Sequence, residues 1–416
     1  MAASADLVGV LDTWVRDGGS LQRALRPFAR HSVRTPAEAA AICRALARLR
    51  EKPSGLSLRS ITRLFLQVRD KAAAGVLKKE GTPLLRLWVE DALAGGDDRG
   101  AMIVILRVLA SYVQPENVAC LIAAARSPVL GDHYSWPSVL VRVVAAHPHR
   151  AELIEALRSP LPEGPWLRTG YVTLCNEAAK DGALDDHPYN SAAGLVHLEQ
   201  MISTSHESEA EAHAIAALAF VEPAARKRLL GIASKHRRPE VQLEAARARV
   251  KDGDPAGMQT LLQACQDPKI HGLARKHLFE LGHGDDIPKI PDNQEFDARS
   301  TLSAWLAHPN EFGRPPDSLE VIDTRKLRWP PTNDDRTLTL LKYVYDDGPK
   351  QQTVGIGMVG ATTFSLVGEA TAEMSAAELY GLHCAWELSD NGDARAPKKR
   401  SAQAGLAILR KHNAGL

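Results

Sequence analysis

The sequence has few aromatic residues, few cysteines and almost no net charge. Aromatic side chains occupy 5 % of the 416 positions, although 44 % of the chain is hydrophobic. The five cysteines lie far apart without a CxxC pair, which argues against a disulfide framework or a zinc knuckle and is typical of the reducing cytosol. Lysine and arginine total 51 against 50 for aspartate and glutamate, which excludes a uniformly polyanion-binding chain.

Long hydrophobic runs are also missing. The most apolar stretch, residues 101–113, includes Arg107 and is shorter than the roughly 20 residues that a membrane span requires. Residues 1–6 carry no basic segment of the kind that opens a secretory signal. We therefore expect a cytoplasmic protein without a membrane span.

Residues 5–290 show a helical pattern throughout. Short apolar-periodic segments alternate with Pro, Gly, Asp and Ser, and proline occupies the first helical position of several of them. Alanine is abundant on the apolar faces, which favours thin stacked layers of helices over one thick core. The clearest predicted helix starts are Thr35–Pro36, Thr82–Pro83, Gln114–Pro115 and Asp254–Pro255.

The helical region contains an internal repetition. Residues 241–250, followed by Gly253, align with residues 270–279, followed by Gly282, at an offset of 29 positions. A return helix is predicted between them, over residues 258–265. Each such pair can bury its apolar stripe only against its neighbours, which is the logic of a solenoid.

The stretch from Pro239 to Pro255, PEVQLEAARARVKDGDP, resembles a HEAT repeat, particularly the short type also seen in phycobilin-lyase-like proteins. The resemblance is good over residues 205–290 and general over 5–200. It implies a mainly α chain in which residues 1–290 form an α-solenoid of HEAT-like helical hairpins. Because HEAT arrays usually act as binding scaffolds, it implies a protein partner and transfers no catalytic residue, cofactor or metal.

The pattern changes after residue 290. Residues 291–392 predict a small α+β domain with an antiparallel sheet, in which Asp347–Gly348 is a hairpin signal. Ser375 and Glu378 form a capping box at the start of a helix. Residues 393–416 read as a basic linker and a tail helix. The predicted strands cover residues 319–321, 337–345, 353–359 and 362–367, and the helices cover 298–307 and 376–388.

Gly355–Gly360 reads GxGxxG, the pattern of a dinucleotide-binding loop. Such a loop follows a strand and opens a helix, whose amides bind the pyrophosphate. Here a strand-like, β-branched segment follows instead. The glycines are therefore expected to leave one face of a strand flat for close packing.

His383 and Cys384 adjoin in a predicted helix, which raises the possibility of a thiol enzyme. Neighbouring helical side chains point about 100° apart, so the two do not form a ready nucleophile–base pair. We expect Cys384 to be a small core residue and His383 a partly buried donor.

The neutral total conceals an uneven charge distribution. Residues 1–86 carry a net charge of +9, residues 291–392 carry −8, and residues 393–416 carry +5. In each of the second, third and fourth predicted helices, arginines lie opposite the apolar face. A solvated outer face explains such a pattern, but stacked helices would also align these arginines into a stripe for an anionic partner. The stripe comprises Arg23, Arg26, Arg30, Arg44, Arg48, Arg59 and Arg63.

Three functions compete on these grounds. The first is a non-enzymatic scaffold that binds a protein on the concave face of a helical array. The second is a nucleic-acid-binding protein that uses the arginine stripe and is related to the HEAT-like DNA glycosylases. That second function needs an acidic and aromatic pocket, for which Trp88 with Asp91 and Trp136 with Asp132 are candidates. The third is the thiol enzyme. The sequence leaves the partner and the oligomeric state open.

Overall fold

The computed structural model describes residues 6–416 apart from short gaps at 51–54, 96–98, 144, 205–207, 291, 309, 347–351, 363, 368–372 and 414–415. The chain is mainly helical and has a four-stranded antiparallel sheet towards its C-terminus, which confirms the expected fold class at that level. Across the described ranges, no helix combines the length and apolarity needed to cross a bilayer.

Two compact units make up the chain, with the main boundary between Lys227 and Arg228. The division predicted at residue 290, and the solenoid before it, stay predictions. The helices of the first unit are α1 (Leu7–Asp17), α2 (Leu21–Leu25), α3 (Pro36–Leu49), α4 (Gly55–Phe65), α5 (Lys71–Val76), α6 (Thr82–Leu93), α7 (Arg99–Ser111), α8 (Pro115–Arg126), α9 (Trp136–Leu140), α10 (Arg150–Ala156), α11 (Pro165–Lys180), α12 (Ala192–Thr204) and α13 (Ser208–Ala217).

Local signals explain most of these helix starts. The Thr35 hydroxyl accepts from the Glu38 amide, and the Glu38 carboxylate accepts from the Thr35 amide, which completes a capping box. The helices that follow Gln114 and Asp254 begin at proline as predicted. At Thr82 the prediction is only partly right, because a π-helical turn over Leu77–Gly81 joins α5 directly to α6.

Helix α14 (Pro223–Ala233) crosses the boundary between the units. The second unit continues with α15 (Pro239–Lys251), α16 (Pro255–Ala264), α17 (His271–Glu280) and α18 (Gln294–Leu306). Helices α15 and α17 end in the same way, at Gly253 (φ +77°) and Gly282 (φ +81°). After each glycine an amide donates to the carbonyl five residues back, Asp254 to Arg249 and His283 to Leu278. The two helices that the 29-residue offset relates, α15 and α17, thus have equivalent C-terminal caps.

An ion-pair network links α15 and α17. His277, which is 2 % exposed, lies 3.3 Å from the Glu244 carboxylate through Nε2, and Arg247 lies 3.4 Å from the same carboxylate. Burial opposes the ionisation of Glu244, but the hydrogen bonds and charges of His277 and Arg247 outweigh burial and lower its pKa. The network therefore stabilises the ionised form of Glu244.

Glu244→Gln tests this network through its pH dependence. A carboxyl whose pKa is lower in the folded chain stabilises the fold at pH values above its pKa in the unfolded chain, which is about 4.3 for glutamate. That stabilisation is lost as the pH falls through the pKa of the folded chain. At about pH 6, urea unfolding should show that the free energy of unfolding of Glu244→Gln is lower than that of the wild type by about 1 kcal/mol. The difference should shrink at lower pH, as the wild-type carboxylate is protonated. Glu295→Gln, in the exposed pair with Arg299, is the control and should change stability little. Equal losses in the two variants at pH 6 would contradict the network's role.

The sheet has the simple order β1-β2-β3-β4. Its strands are β1 (Ser318–Trp329), β2 (Asp334–Asp346), β3 (Gln352–Val359) and β4 (Phe364–Val367). Strand β1 is much longer than predicted and turns into β2 through Pro330–Asn333, where Asn333 adopts a φ of +55°. The predicted hairpin signal at Asp347–Gly348 lies outside the described residues.

Helices cover both faces of the sheet. Helix α18 packs Leu302 and Leu306 against Leu341, Tyr343 and Tyr345 on one side. Helices α19 (Ala376–Asp390) and α20 (Ala402–Arg410) pack against the other side. The Ser375–Glu378 capping box at the start of α19 is present, as predicted. The core on this second face contains Leu327, Trp329, Leu338, Leu340, Ile356, Met358, Leu379, Tyr380, Cys384, Leu388 and Leu409.

Candidate partner-binding surface

Three of the seven predicted arginines line a single cleft in the first unit. Arg23 and Arg26 come from α2 and the 3₁₀ turn after it, and Arg63 comes from α4. The cleft, called the first basic cleft below, has a volume of about 540 Å³. All three arginine side chains are exposed. The structure therefore brings together cations that are forty positions apart in the sequence.

Apolar anchors explain how this cleft forms. Leu21, Leu25 and Phe28 are 1 %, 5 % and 2 % exposed, so the arginines between them are directed outward. The helix becomes a 3₁₀ turn at Arg26–Phe28, where Pro27 lies. At the end of α4 the Gln67 side-chain amide donates to the Ala29 carbonyl at 3.2 Å, which ties the two walls together.

Among the described residues, no aspartate or glutamate lines the first basic cleft. The polar residues beside the arginines are Ser20, Gln22, Ser60 and Gln67. Within the described part of the chain, the guanidinium groups of Arg23, Arg26 and Arg63 form no ion pair or side-chain hydrogen bond. Their charge is therefore available to an anionic partner, for which arginine offers bidentate contacts.

The other four arginines of the predicted stripe lie elsewhere. Arg44 donates to the Asp12 carboxylate at 2.7 Å and is already paired. Arg48 is exposed and has an interaction of its own. Arg30 and Arg59 are exposed but do not line the first basic cleft. The predicted stripe is thus divided between a cleft, a salt bridge and separate surface positions.

A second basic cleft, of about 480 Å³, lies beside the same chain segment. Its cations are Lys71, Lys78 and Arg142, and none of its lining residues in the described ranges is acidic. The first basic cleft uses Arg63, Leu64 and Gln67 as part of its wall, and the second uses residues 65, 66 and 68. The two clefts have no described lining residue in common, but both are lined by positions of the segment 63–68. Arg142 follows α9 and lies far in the sequence from Lys71 and Lys78. Helical periodicity does not relate it to them, so sequence reasoning missed it.

The aromatic candidates for a nucleobase pocket are occupied by internal contacts. The Arg50 guanidinium lies 5.3 Å from the centre of the Trp88 ring and donates to Asp91 at 2.8 Å. Trp136 is fully buried, and its indole N–H donates to the Leu130 carbonyl at 2.7 Å. Neither tryptophan presents a ring face of the kind that stacks on a base.

His383 and Cys384 are both fully buried in α19. Burial raises the pKa of the Cys384 thiol to about 12 and lowers the pKa of His383 to about 3. A thiol of this kind is protonated and inert at neutral pH. The pair therefore has the environment of core residues, and His383 is more deeply buried than expected.

The glycines of the GxGxxG pattern lie in and just after β3. The next element in the described chain is β4, so no helix follows to bind a pyrophosphate. Gly357 faces α18, where an added Cβ would lie 2.5 Å from Leu302. The prediction that these glycines permit close packing is confirmed.

Within the described ranges, no group of three or more His, Cys, Asp or Glu side chains is placed to hold a metal ion. No protein-family model matches this sequence, and no curated protein does so either. The functional inference therefore depends on the geometry and charge of the clefts.

Proposed function

We propose that this chain is a non-enzymatic interaction scaffold, a HEAT-like helical array whose N-terminal unit binds an acidic segment of a partner protein. The observation that carries the proposal is a pair of clefts along the same chain segment, whose described lining residues include six cations and neither aspartate nor glutamate. Arg23, Arg26 and Arg63 would bind carboxylates in the first basic cleft, and Lys71, Lys78 and Arg142 would bind them in the second.

The composition of the clefts favours a peptide over a nucleic acid. Ala29, which is exposed, contributes apolar surface beside the guanidinium groups, which suits a segment with both acidic and apolar side chains. The aromatic residue of the first basic cleft, Phe28, is 2 % exposed and offers no stacking platform for a base.

A paired charge reversal tests the proposal. Arg23→Glu with Arg63→Glu changes the first basic cleft, whereas Arg30→Glu with Arg59→Glu makes the same change of charge outside both clefts. Fluorescence anisotropy with a labelled 16-residue peptide rich in Glu and Leu should show at least about tenfold weaker binding for the cleft variant, since repulsion replaces attraction at two sites. The control should stay within about threefold of the wild type. If both variants bind the peptide equally more weakly than the wild type, the overall charge of the chain and not the cleft determines binding.

Nucleic-acid binding is the second candidate, because the cations that line both clefts also suit phosphates. The same variants are titrated with a labelled 16-nucleotide single strand and with a duplex over a range of salt concentrations. If the chain binds DNA or RNA with a steep salt dependence and does not bind the peptide, this second function replaces the first.

A further inference from the structure

A third cavity lies in the first unit between α9 and α11 and shares no lining residue with either basic cleft. Its volume is about 550 Å³, within the range of small-molecule sites. Leu140, Val143 and Leu174 contribute an apolar surface and are 2 %, 3 % and 4 % exposed. Val141, also in the lining, is 64 % exposed. The cavity therefore offers apolar contact that the chain itself leaves uncovered.

One stripe of α11 supplies hydrogen-bond acceptors to this cavity. Thr169, Thr173 and Glu177 follow one another at intervals of four residues, so they lie on the same helix face. The Thr169 hydroxyl donates to the Pro165 carbonyl at 2.9 Å, and the Thr173 hydroxyl donates to the Thr169 carbonyl at 2.8 Å. Because both hydroxyl protons are engaged, the two oxygens can only accept from a ligand.

The charges of the lining favour a cation. Arg150, 5 % exposed, donates to the Asp181 carboxylate at 2.8 Å, so these two lining charges compensate each other. Glu177 remains, and its partner Lys180, at 2.6 Å, lies outside the lining. Both side chains of that pair are more than half exposed, so it is a weak pair that a ligand can replace. His213 completes the polar side.

We propose that this cavity binds a small organic amine. The apolar body would lie against Leu140, Val143 and Leu174, and the ammonium group, which has three donors, would bind the Thr173 hydroxyl oxygen and the Glu177 carboxylate. The site does not depend on the basic clefts. It adds a small-molecule site to the first unit whether or not the scaffold proposal holds.

Three probes of one shape separate charge from hydrophobicity. The full chain is titrated with 4-phenylbutylamine, 4-phenylbutanol and 4-phenylbutyrate by ligand-observed NMR. The amine should bind at least about fivefold more tightly than the alcohol, since only the amine gains the ion pair, and the carboxylate should bind most weakly. Equal binding of amine and alcohol, or tighter binding of the carboxylate, would overturn the proposal.

Glu177→Gln tests the assigned carboxylate, and Glu155→Gln is its matched control. Glu155 also forms an exposed pair with a cation three positions away, Arg158, at 2.8 Å, but does not line the cavity. Amine affinity should fall at least about fivefold in Glu177→Gln and stay unchanged in Glu155→Gln, while the affinity for the alcohol stays the same in both. An unchanged affinity in Glu177→Gln overturns the assignment. Tighter binding of acetyl-Leu-Lys-Leu-amide than of the amine would also overturn it, because the site would then belong to a peptide.

Discussion

Gly405→Ala should destabilise the second unit by about 3 kcal/mol, although alanine is the better helix former. Helices α19 and α20 cross at Gly381 and Gly405, and a Cβ added at Gly405 would overlap the Gly381 carbonyl oxygen. A Cβ at Gly381 would lie 2.5 Å from the Ala402 carbonyl oxygen. The clash is with backbone, which has no rotamer to change, so the helices must move apart and lose their packing against the sheet.

Gly231→Ala is the control for this prediction. Gly231 also lies in a helix, α14, but a Cβ built there meets nothing within 4 Å. Its replacement by alanine should raise the free energy of unfolding by about 0.5–1 kcal/mol, because alanine has the higher helix propensity and makes no clash there. Urea unfolding followed by circular dichroism measures both variants. A Gly405→Ala variant as stable as Gly231→Ala would show that the crossing is not tight.

Trp329→Phe should also cost about 3 kcal/mol, because it leaves a buried carboxylate without its donor. Trp329 is fully buried and Glu387 is 3 % exposed, and the indole N–H donates to the Glu387 carboxylate at 2.9 Å. This bond joins the end of β1 to α19 inside the core on the second face of the sheet. The cost arises from desolvation of the remaining charge more than from the lost ring atoms.

A double-mutant cycle separates these two contributions. Glu387→Met replaces the carboxylate by an unbranched apolar side chain, and the double variant lacks both hydrogen-bond partners. The double variant should recover at least about 1.5 kcal/mol relative to the sum of the single variants, because no unpaired polar group remains. Chemical unfolding of the four proteins measures the coupling. If the losses in free energy of unfolding of the two single variants add up to that of the double variant within about 0.5 kcal/mol, the hydrogen bond does not contribute to stability as proposed.

Much of the secondary structure could be predicted because its causes are local. The Thr35–Glu38 and Ser375–Glu378 capping boxes each depend on residues three positions apart. The strand pattern after residue 317 predicted the antiparallel sheet, although the length of β1 was missed because its outer positions are largely polar. The π-helical turn before Thr82 was also missed, since proline usually marks a helix start.

The candidate surface could be predicted only in part. Helical angles showed that Arg23, Arg26 and Arg63 point away from their apolar faces, and all three are exposed. The same angles gave Arg44 an equivalent position, yet it is paired with Asp12 of α1. Periodicity describes one helix at a time, so it contains no information about which neighbour supplies a counter-charge. It also could not find Arg142, which reaches the second basic cleft through the chain path after α9.

The amino-acid sequence was enough to establish that this chain is mainly helical, that a small antiparallel sheet follows, and that its near-neutral total charge divides into a basic start and an acidic sheet region. Those properties depend on composition and on spacings of a few residues. Tertiary packing was needed to establish which arginines meet in a cleft whose described lining is free of acidic residues, that His383 and Cys384 lie in the core, and that α19 crosses α20 at two glycines. Charge compensation, burial and close approach are relations between distant segments, and packing alone sets them.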